Sequence, residues 1–150
     1  RQRRQVEFTE DDLLNARLRY IILNLIYVEK FGSSPFNVRY KGNDPHIDHI
    51  YPQSMLRGRL GLTTSEINDI GNYRFVGATD NIRKRAELPD SYFNRLKRGR
   101  VDIENHLLLS KAAKDPSLLR FNRKTYEQFR DQRRKRIFDI ANRVINPESV

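Results

Sequence analysis

Apolar residues recur at three- and four-residue intervals over residues 10–31 and again over residues 122–145. This spacing is typical of amphipathic helices, so the pattern predicts one long helix in each stretch. Thr9 and Asp12 form a variant of the capping box at the start of the first helix, and Gly32 is a natural stop. The first helix is apolar enough to be the structural backbone of the domain.

The middle of the chain carries shorter patterns. The runs His46–Ile50 and Tyr73–Val76 are bounded by turn residues and predict two short strands. The second run alternates, which places its aromatic side chains on one face. Residues 53–71 between the strands are rich in glycine and predict a loop with one helical turn.

Helical spacing returns after the second strand. Thr79 or Asp80 can cap a helix that runs to residue 86, and short helices are predicted near 90–98 and 101–113. The elements together predict a mostly helical α+β fold with two strands near its middle. A chain of 150 residues is most simply one domain.

The charge balance narrows the class of partner. Lys and Arg number 29 against 19 Asp and Glu, a net charge of +10, which predicts a nucleic-acid partner or an anionic surface. The absence of cysteine excludes disulfides and Cys-ligated zinc and fits a reducing cytoplasm. The apolar run Tyr20–Val28 is too short to span a bilayer. Because the chain begins at Arg1 and not at Met, we expect it to be a fragment of a longer protein.

Four polar residues stand near the points where the predicted strands and the following helix begin or end. Asp48 and His49 end the first strand, Asn72 precedes the second, and Asn81 lies in the first turn of the next helix. Histidine can take a proton from water near neutral pH, and carboxylate and amide oxygens can hold a hard cation. On a basic protein, this combination points to metal-assisted cleavage of a phosphodiester.

The segments DHIYPQS, IGNYRFV and TDNIRKR appear in that order and resemble the ββα-metal core of HNH endonucleases, over residues 44–89. The resemblance implies that His49 is the general base and that Asp48 ligates a divalent cation. It implies that Asn81 completes the metal site and that Asn72 braces the loop carrying the base. The implied cofactor is Mg²⁺, with Mn²⁺ or another divalent cation also possible.

Further residues extend this site hypothesis. His46 lies two residues before Asp48 on the same strand face, so it can join the metal ligands, touch phosphate or support a ligand from behind. Basic side chains on two helices are candidate contacts to the DNA backbone, with a solvated helix face as the alternative: Lys84, Arg83, Arg85, Arg133, Arg134 and Arg136. No stacking-aromatic motif favours RNA as the partner.

The wider order of segments is similar to the C-terminal HNH domains of prokaryotic GmrSD-like and SspE-like anti-phage restriction proteins. This resemblance implies a cytoplasmic nuclease effector whose NTPase or sensor domain precedes it in the full-length protein. It divides the chain into a linker and supporting helix (1–43), the core (44–89) and a basic helical part (90–150).

Two other functions remain open at this stage. The chain could be a DNA-binding module that keeps a degenerate HNH fold without cleaving. It could also be a structural interaction domain that presents helix 10–31 to a partner.

Overall fold

The computed structural model describes four stretches of the chain, 7–31, 45–99, 107–108 and 115–147. Within them the protein is mostly helical and has one small antiparallel sheet of two strands, an α+β arrangement. The predicted stop at Gly32 and nearly all of the predicted helix 101–113 lie outside the described residues.

The helices are α1 (Glu10–Leu14), α2 (Ala16–Phe31), α3 (Gln53–Leu60), α4 (Thr64–Ile67), α5 (Ala78–Lys84), α6 (Pro89–Arg98) and α7 (Arg123–Ile145). The strands are β1 (Pro45–His49) and β2 (Tyr73–Gly77). Short 3₁₀ turns occupy Ile70–Asn72 and Pro116–Leu119.

The N-terminal helix is broken where the sequence predicted continuity. Thr9 and Asp12 form the expected capping box, but Asn15 adopts an extended conformation with ψ 119° and ends α1. The Asn15 side chain then accepts hydrogen bonds from the backbone N–H groups of Arg17 and Leu18, at 3.0 and 3.2 Å. Asn15 therefore ends one helix and caps the next, because its short amide can satisfy the free donors of a new first turn.

The glycine-rich stretch 53–71 contains a helix that the prediction missed. Gly58 lies inside α3, where an added Cβ would meet open space, so glycine is not required there. Gly61 ends α3 with φ +62°, a left-handed conformation that suits glycine. The predicted helical turn is present as α4, which opens with a capping box between Thr63 and Glu66.

Both predicted strands are confirmed, with bounds shifted by about one residue. They pair antiparallel, so that His49 lies opposite Tyr73 and Asp48 lies opposite Arg74. Helix α5 follows β2 directly and contacts both strands. The sheet and α5 thus bring the end of β1 close to the last turn of α5, where Lys84 contacts Asp48.

The long last helix is confirmed and holds this unit in place. Asn122 caps α7 by accepting from the Thr125 N–H at 2.8 Å. The helix packs against α2 and against the 3₁₀ turn that precedes β2. Its buried face carries two aromatic side chains, one basic side chain and three aliphatic side chains, in that order: Tyr126, Phe129, Arg133, Ile137, Ile140 and Ala141. Two hydrophobic clusters therefore share this helix, one towards α3 and α6 and one towards α1 and α2.

Candidate functional site

An open cleft of about 450 Å³ lies between β1, α3 and α5. Its walls include four of the residues predicted from the sequence, Asp48, His49, Asn81 and Arg85. Arg57 from α3 and Arg85, which directly follows α5, supply two positive charges. The fold therefore brings a histidine, a carboxylate and an amide together in a basic recess.

His49 is half-buried, and both of its ring contacts are defined. Its Nε2 lies 2.8 Å from Oδ1 of Asn68, and its ring meets the Tyr73 ring edge-on with centroids 5.0 Å apart. Burial lowers the pKa of His49 below its ordinary value of 6.5, although the hydrogen bond to Asn68 and the charge of Asp48 act in the opposite direction. The imidazole is therefore neutral at pH 7 and able to accept a proton.

Asp48 is buried and held by two cationic side chains. Arg74 Nε donates to Oδ2 at 2.8 Å, and Lys84 Nζ lies 2.9 Å from both carboxylate oxygens. Lys84 also donates to the carbonyl of His49 at 2.7 Å. The three side chains form a cluster of two positive charges and one negative charge, hereafter the Asp48 cluster.

Arg74 reaches Asp48 because the two residues face each other across the sheet. Its guanidinium is fully buried and lies over the rings of Tyr92 and Phe93, at 4.7 and 5.3 Å from their centroids. These aromatic faces stabilise a cation that has left water. Arg74 was predicted to lie in a strand but to have no role, because only the strand register relates it to Asp48.

The prediction that Lys84 contacts phosphate is wrong in this structure. Lys84 is 2% exposed, and its ammonium group is used by Asp48 and by backbone carbonyls. One helical turn separates it from Asn81, which places it on the inner face of α5. Burial lowers the pKa of Lys84, and the charge of Asp48 opposes that shift.

The prediction that Arg133 contacts DNA is also wrong. Arg133 is fully buried and donates to the carbonyls of Leu107 and Gly71, at 2.9 and 3.0 Å. It lies on the buried face of α7 between Phe129 and Ile137, so helical spacing turns it inward. Burial lowers the pKa of its guanidinium to about 10, which leaves it charged at neutral pH.

The other basic candidates divide between exposed and paired positions. Arg134 is half-buried and forms an ion pair with Asp69. Arg83 and Arg136 are exposed, as a residue that contacts the DNA backbone must be. Arg85 is exposed, lines the cleft and has φ +50°, a conformation that costs a non-glycine residue energy. Of this set, Arg85 is the candidate that lines the cleft.

Asn72 is buried and braces the loop after His49. Its Oδ1 accepts from the N–H of Tyr51 at 2.8 Å, and its Nδ2 donates to the carbonyls of Tyr51 and Ile67 at 3.1 and 3.2 Å. Its own carbonyl accepts from the Ile50 N–H at 2.8 Å. The amide therefore uses its oxygen and both of its hydrogens in shaping the backbone, the bracing contact that the resemblance led us to expect.

The metal assignments stay predictions. His46 is exposed, pairs with Val76 across the sheet, and is not among the described residues that line the cleft. Within the described stretches, no three His, Asp or Glu side chains come together in a group that could hold a metal ion. Asp48 lines the cleft, but its carboxylate already has Arg74 and Lys84 as partners.

Besides Arg74, two residues at this site were not predicted from the sequence. Asn68 contacts the ring of His49, and Arg57 lines the cleft from a helix that was predicted to be loop. A correct assignment of α3 would have placed Arg57 one turn after Gln53, on the same side of the helix. No local pattern marks Asn68, because its partner is 19 residues away in the chain.

Comparison with protein-family models, with curated proteins and with solved structures found no match. Among the described helices, none combines the length and the apolarity needed to cross a membrane. The chemistry of the cleft therefore carries the functional proposal.

Proposed function

We propose that this chain is a metal-dependent DNA endonuclease of the HNH type, which hydrolyses phosphodiester bonds with His49 as general base. The observation that carries the proposal is the position of His49, a neutral and oriented imidazole in an open cleft flanked by Arg57 and Arg85. The order β1, β2, α5 supports the ββα part of the proposal, because it places Asp48, His49 and Asn81 around one recess.

His49 and the two arginines of the cleft would serve different steps of the proposed reaction. A neutral histidine that removes a proton from water contributes typically ~10²–10⁴-fold in rate. Arginine binds phosphate through paired N–H donors, so Arg57 and Arg85 suit the flanks of a scissile phosphodiester. One such site cuts one strand in each engagement, so nicking is the expected outcome for a monomer.

The cleft fits a divalent cation in the kind of donor it offers. Carboxylate and amide oxygens are the ligands that Mg²⁺ prefers, and one or two of them suffice because the ion keeps several waters. Asp48 and Asn81 would hold it. When bound, the ion stabilises the charge that builds on the phosphate and the departing oxygen. Three of about four lone-pair positions of Asp48 already accept from Arg74 and Lys84, so a bound ion would compete with Lys84 for this carboxylate.

The sequence resemblance extends the proposal beyond the cleft. It suggests the effector domain of a prokaryotic anti-phage restriction protein, acting in the cytoplasm with an NTPase or sensor domain as its partner. That part of the proposal is tested separately, by asking whether the full-length protein restricts phage and whether His49→Ala abolishes restriction.

Cleavage of supercoiled plasmid in Mg²⁺ or Mn²⁺ tests the nuclease itself. We expect open-circular product with the wild type and none with His49→Ala or with EDTA. Gln132→Ala is the control, because it removes an exposed polar side chain of α7 that does not line the cleft and has no proposed role in the site. An intact plasmid after incubation with the wild type, or equal cleavage by His49→Ala, would contradict the proposal.

One observation favours a second candidate, a DNA-binding module that does not cleave. The carboxylate of Asp48 is neutralised by Arg74 and Lys84, as in a structural ion cluster. Such a module would shift DNA in a gel with an affinity that falls steeply with salt. Its affinity would be the same with and without His49→Ala, and no cut product would form in either metal.

A further inference from the structure

His49 is held by a chain of contacts that reaches the N-terminal helix. Its Nε2 lies 2.8 Å from Oδ1 of Asn68. The backbone carbonyl of Asn68 accepts a hydrogen bond from Nη1 of Arg19 on α2. The guanidinium of Arg19 lies over the ring of Tyr73, 5.6 Å from its centroid, and that ring also meets His49 edge-on. Asn68, Arg19 and Tyr73 therefore form a closed loop of contacts with His49.

The contact with Asn68 decides which ring nitrogen can act as a base. An amide oxygen only accepts, so Nε2 of a neutral His49 must carry the proton. The lone pair is then on Nδ1. Because the partner is a neutral amide and not a carboxylate, it fixes the tautomer and the ring orientation without adding a charge beside the base.

Asn68 is itself held by the local backbone. It ends α4, where its N–H donates to the carbonyl of Thr64 at 2.9 Å. The other end of this short helix is fixed by the capping box of Thr63 and Glu66. Arg19 fixes the carbonyl side of Asn68, which leaves the side-chain amide directed at His49.

We propose that Asn68, anchored by Arg19, is a positioning residue that presents Nδ1 of His49 as the proton acceptor in the cleft. This inference rests on the proposed nuclease function. It adds that α2 of the N-terminal part sets the geometry of the base, although the core resemblance begins only at residue 44. Loss of such an orienting partner typically lowers activity by roughly 10–100-fold.

The test combines ¹⁵N-histidine NMR of the whole chain with plasmid nicking in Mn²⁺. The protein has three histidines, and His49→Ala identifies the signals of His49. We expect a slowly exchanging Nε2–H proton and a non-protonated Nδ1 in the wild type. Asn68→Leu, which keeps the volume and removes the acceptor, should lose that proton signal and nick roughly 10–100-fold more slowly. Asn68→Asp, which keeps an acceptor oxygen, should retain the signal.

Variants of α2 test the anchor. Arg19→Gln should weaken the His49 proton signal and slow nicking, whereas Arg17→Gln, at an exposed position of the same helix, should change neither. A protonated Nδ1 in the wild type, or unchanged nicking by Asn68→Leu, would overturn the inference while leaving the nuclease in place. If Nε2 of His49 carries the proton but the wild type does not cleave, the proposed nuclease function is wrong and the positioning role of Asn68 with it. The hydrogen bond between Asn68 and His49 would still stand.

Discussion

Replacing Asp48 with alanine would leave two buried cations without their counter-ion. Arg74 and Lys84 are 0% and 2% exposed, and Asp48 is the carboxylate that both of them contact. Lys84→Met has the opposite character, because it removes one cation and leaves a balanced pair of Asp48 and Arg74. Asp48→Ala therefore makes the Asp48 cluster more positive, whereas Lys84→Met makes it neutral.

The charge count sets the expected magnitudes. The Asp48 cluster carries two positive charges and one negative, a net charge of one positive. Without Asp48 the buried charge doubles, and removing one partner of a buried pair costs about 3–5 kcal/mol in the free energy of unfolding. Without Lys84 the loss is one of hydrogen bonds to a charged group, about 1.5–3 kcal/mol. The methionine of Lys84→Met fills the space of the apolar stem and limits the cavity.

Urea unfolding followed by circular dichroism measures these differences. We expect Asp48→Ala to be the most destabilised variant, Asp48→Asn to be close behind it, and Lys84→Met to be the mildest. In the double variant Asp48→Ala/Lys84→Met only Arg74 remains unpaired, so its loss should be smaller than the sum of the single losses. A loss in Lys84→Met equal to that in Asp48→Ala, or strict additivity, would show that the charge count does not govern this cluster.

Three further outcomes test other parts of the structure. Gly71→Ala should destabilise the protein by about 2–3 kcal/mol because its Cβ would collide with the backbone of α7. Gly58→Ala should stabilise the protein by about 0.5–1 kcal/mol because its Cβ would meet open space. Thermal unfolding of both variants measures this difference. Arg133→Met should destabilise by about 3 kcal/mol, since it leaves several buried carbonyls without donors, and exposed Arg136→Met should stay within about 0.5 kcal/mol in the same urea assay. Lys84→Met should bind Mn²⁺ more tightly than the wild type, because the ammonium group that competes for Asp48 is gone. Electron paramagnetic resonance of free Mn²⁺ measures the two affinities. Equal affinities would contradict competition between Lys84 and the ion.

Elements set by local chemistry were predictable from the sequence. The capping box at Thr9, the capped helix from Asn122 and the two strands all follow from residues within a few positions of one another. The break at Asn15 was predictable in the same way, since an asparagine caps helices well, but the continuous apolar spacing outweighed it. Local rules conflict at such positions, and periodicity alone does not decide between them.

Side-chain roles were less predictable because they depend on distant partners. Arg74 and Lys84 lie 26 and 36 residues from Asp48 in the chain. Arg133 falls on the apolar stripe of its own helix, which already indicated a buried position, yet the cluster of basic residues around it favoured an exposed one. Charge density along a sequence does not distinguish a surface cation from a buried one, whereas helical spacing can.

Both candidate functions predict the same electrostatic attraction of DNA to the cleft. They differ in whether His49 then removes a proton from water. Arg57, Arg85 and the net positive Asp48 cluster make the cleft attractive to a polyanion whether or not a divalent cation is present. Affinity for DNA should therefore survive EDTA and survive His49→Ala, and it should fall with salt under either function. Only cleavage requires the lone pair of His49, so a variant that keeps its salt-dependent affinity and loses its product separates catalysis from binding within one molecule.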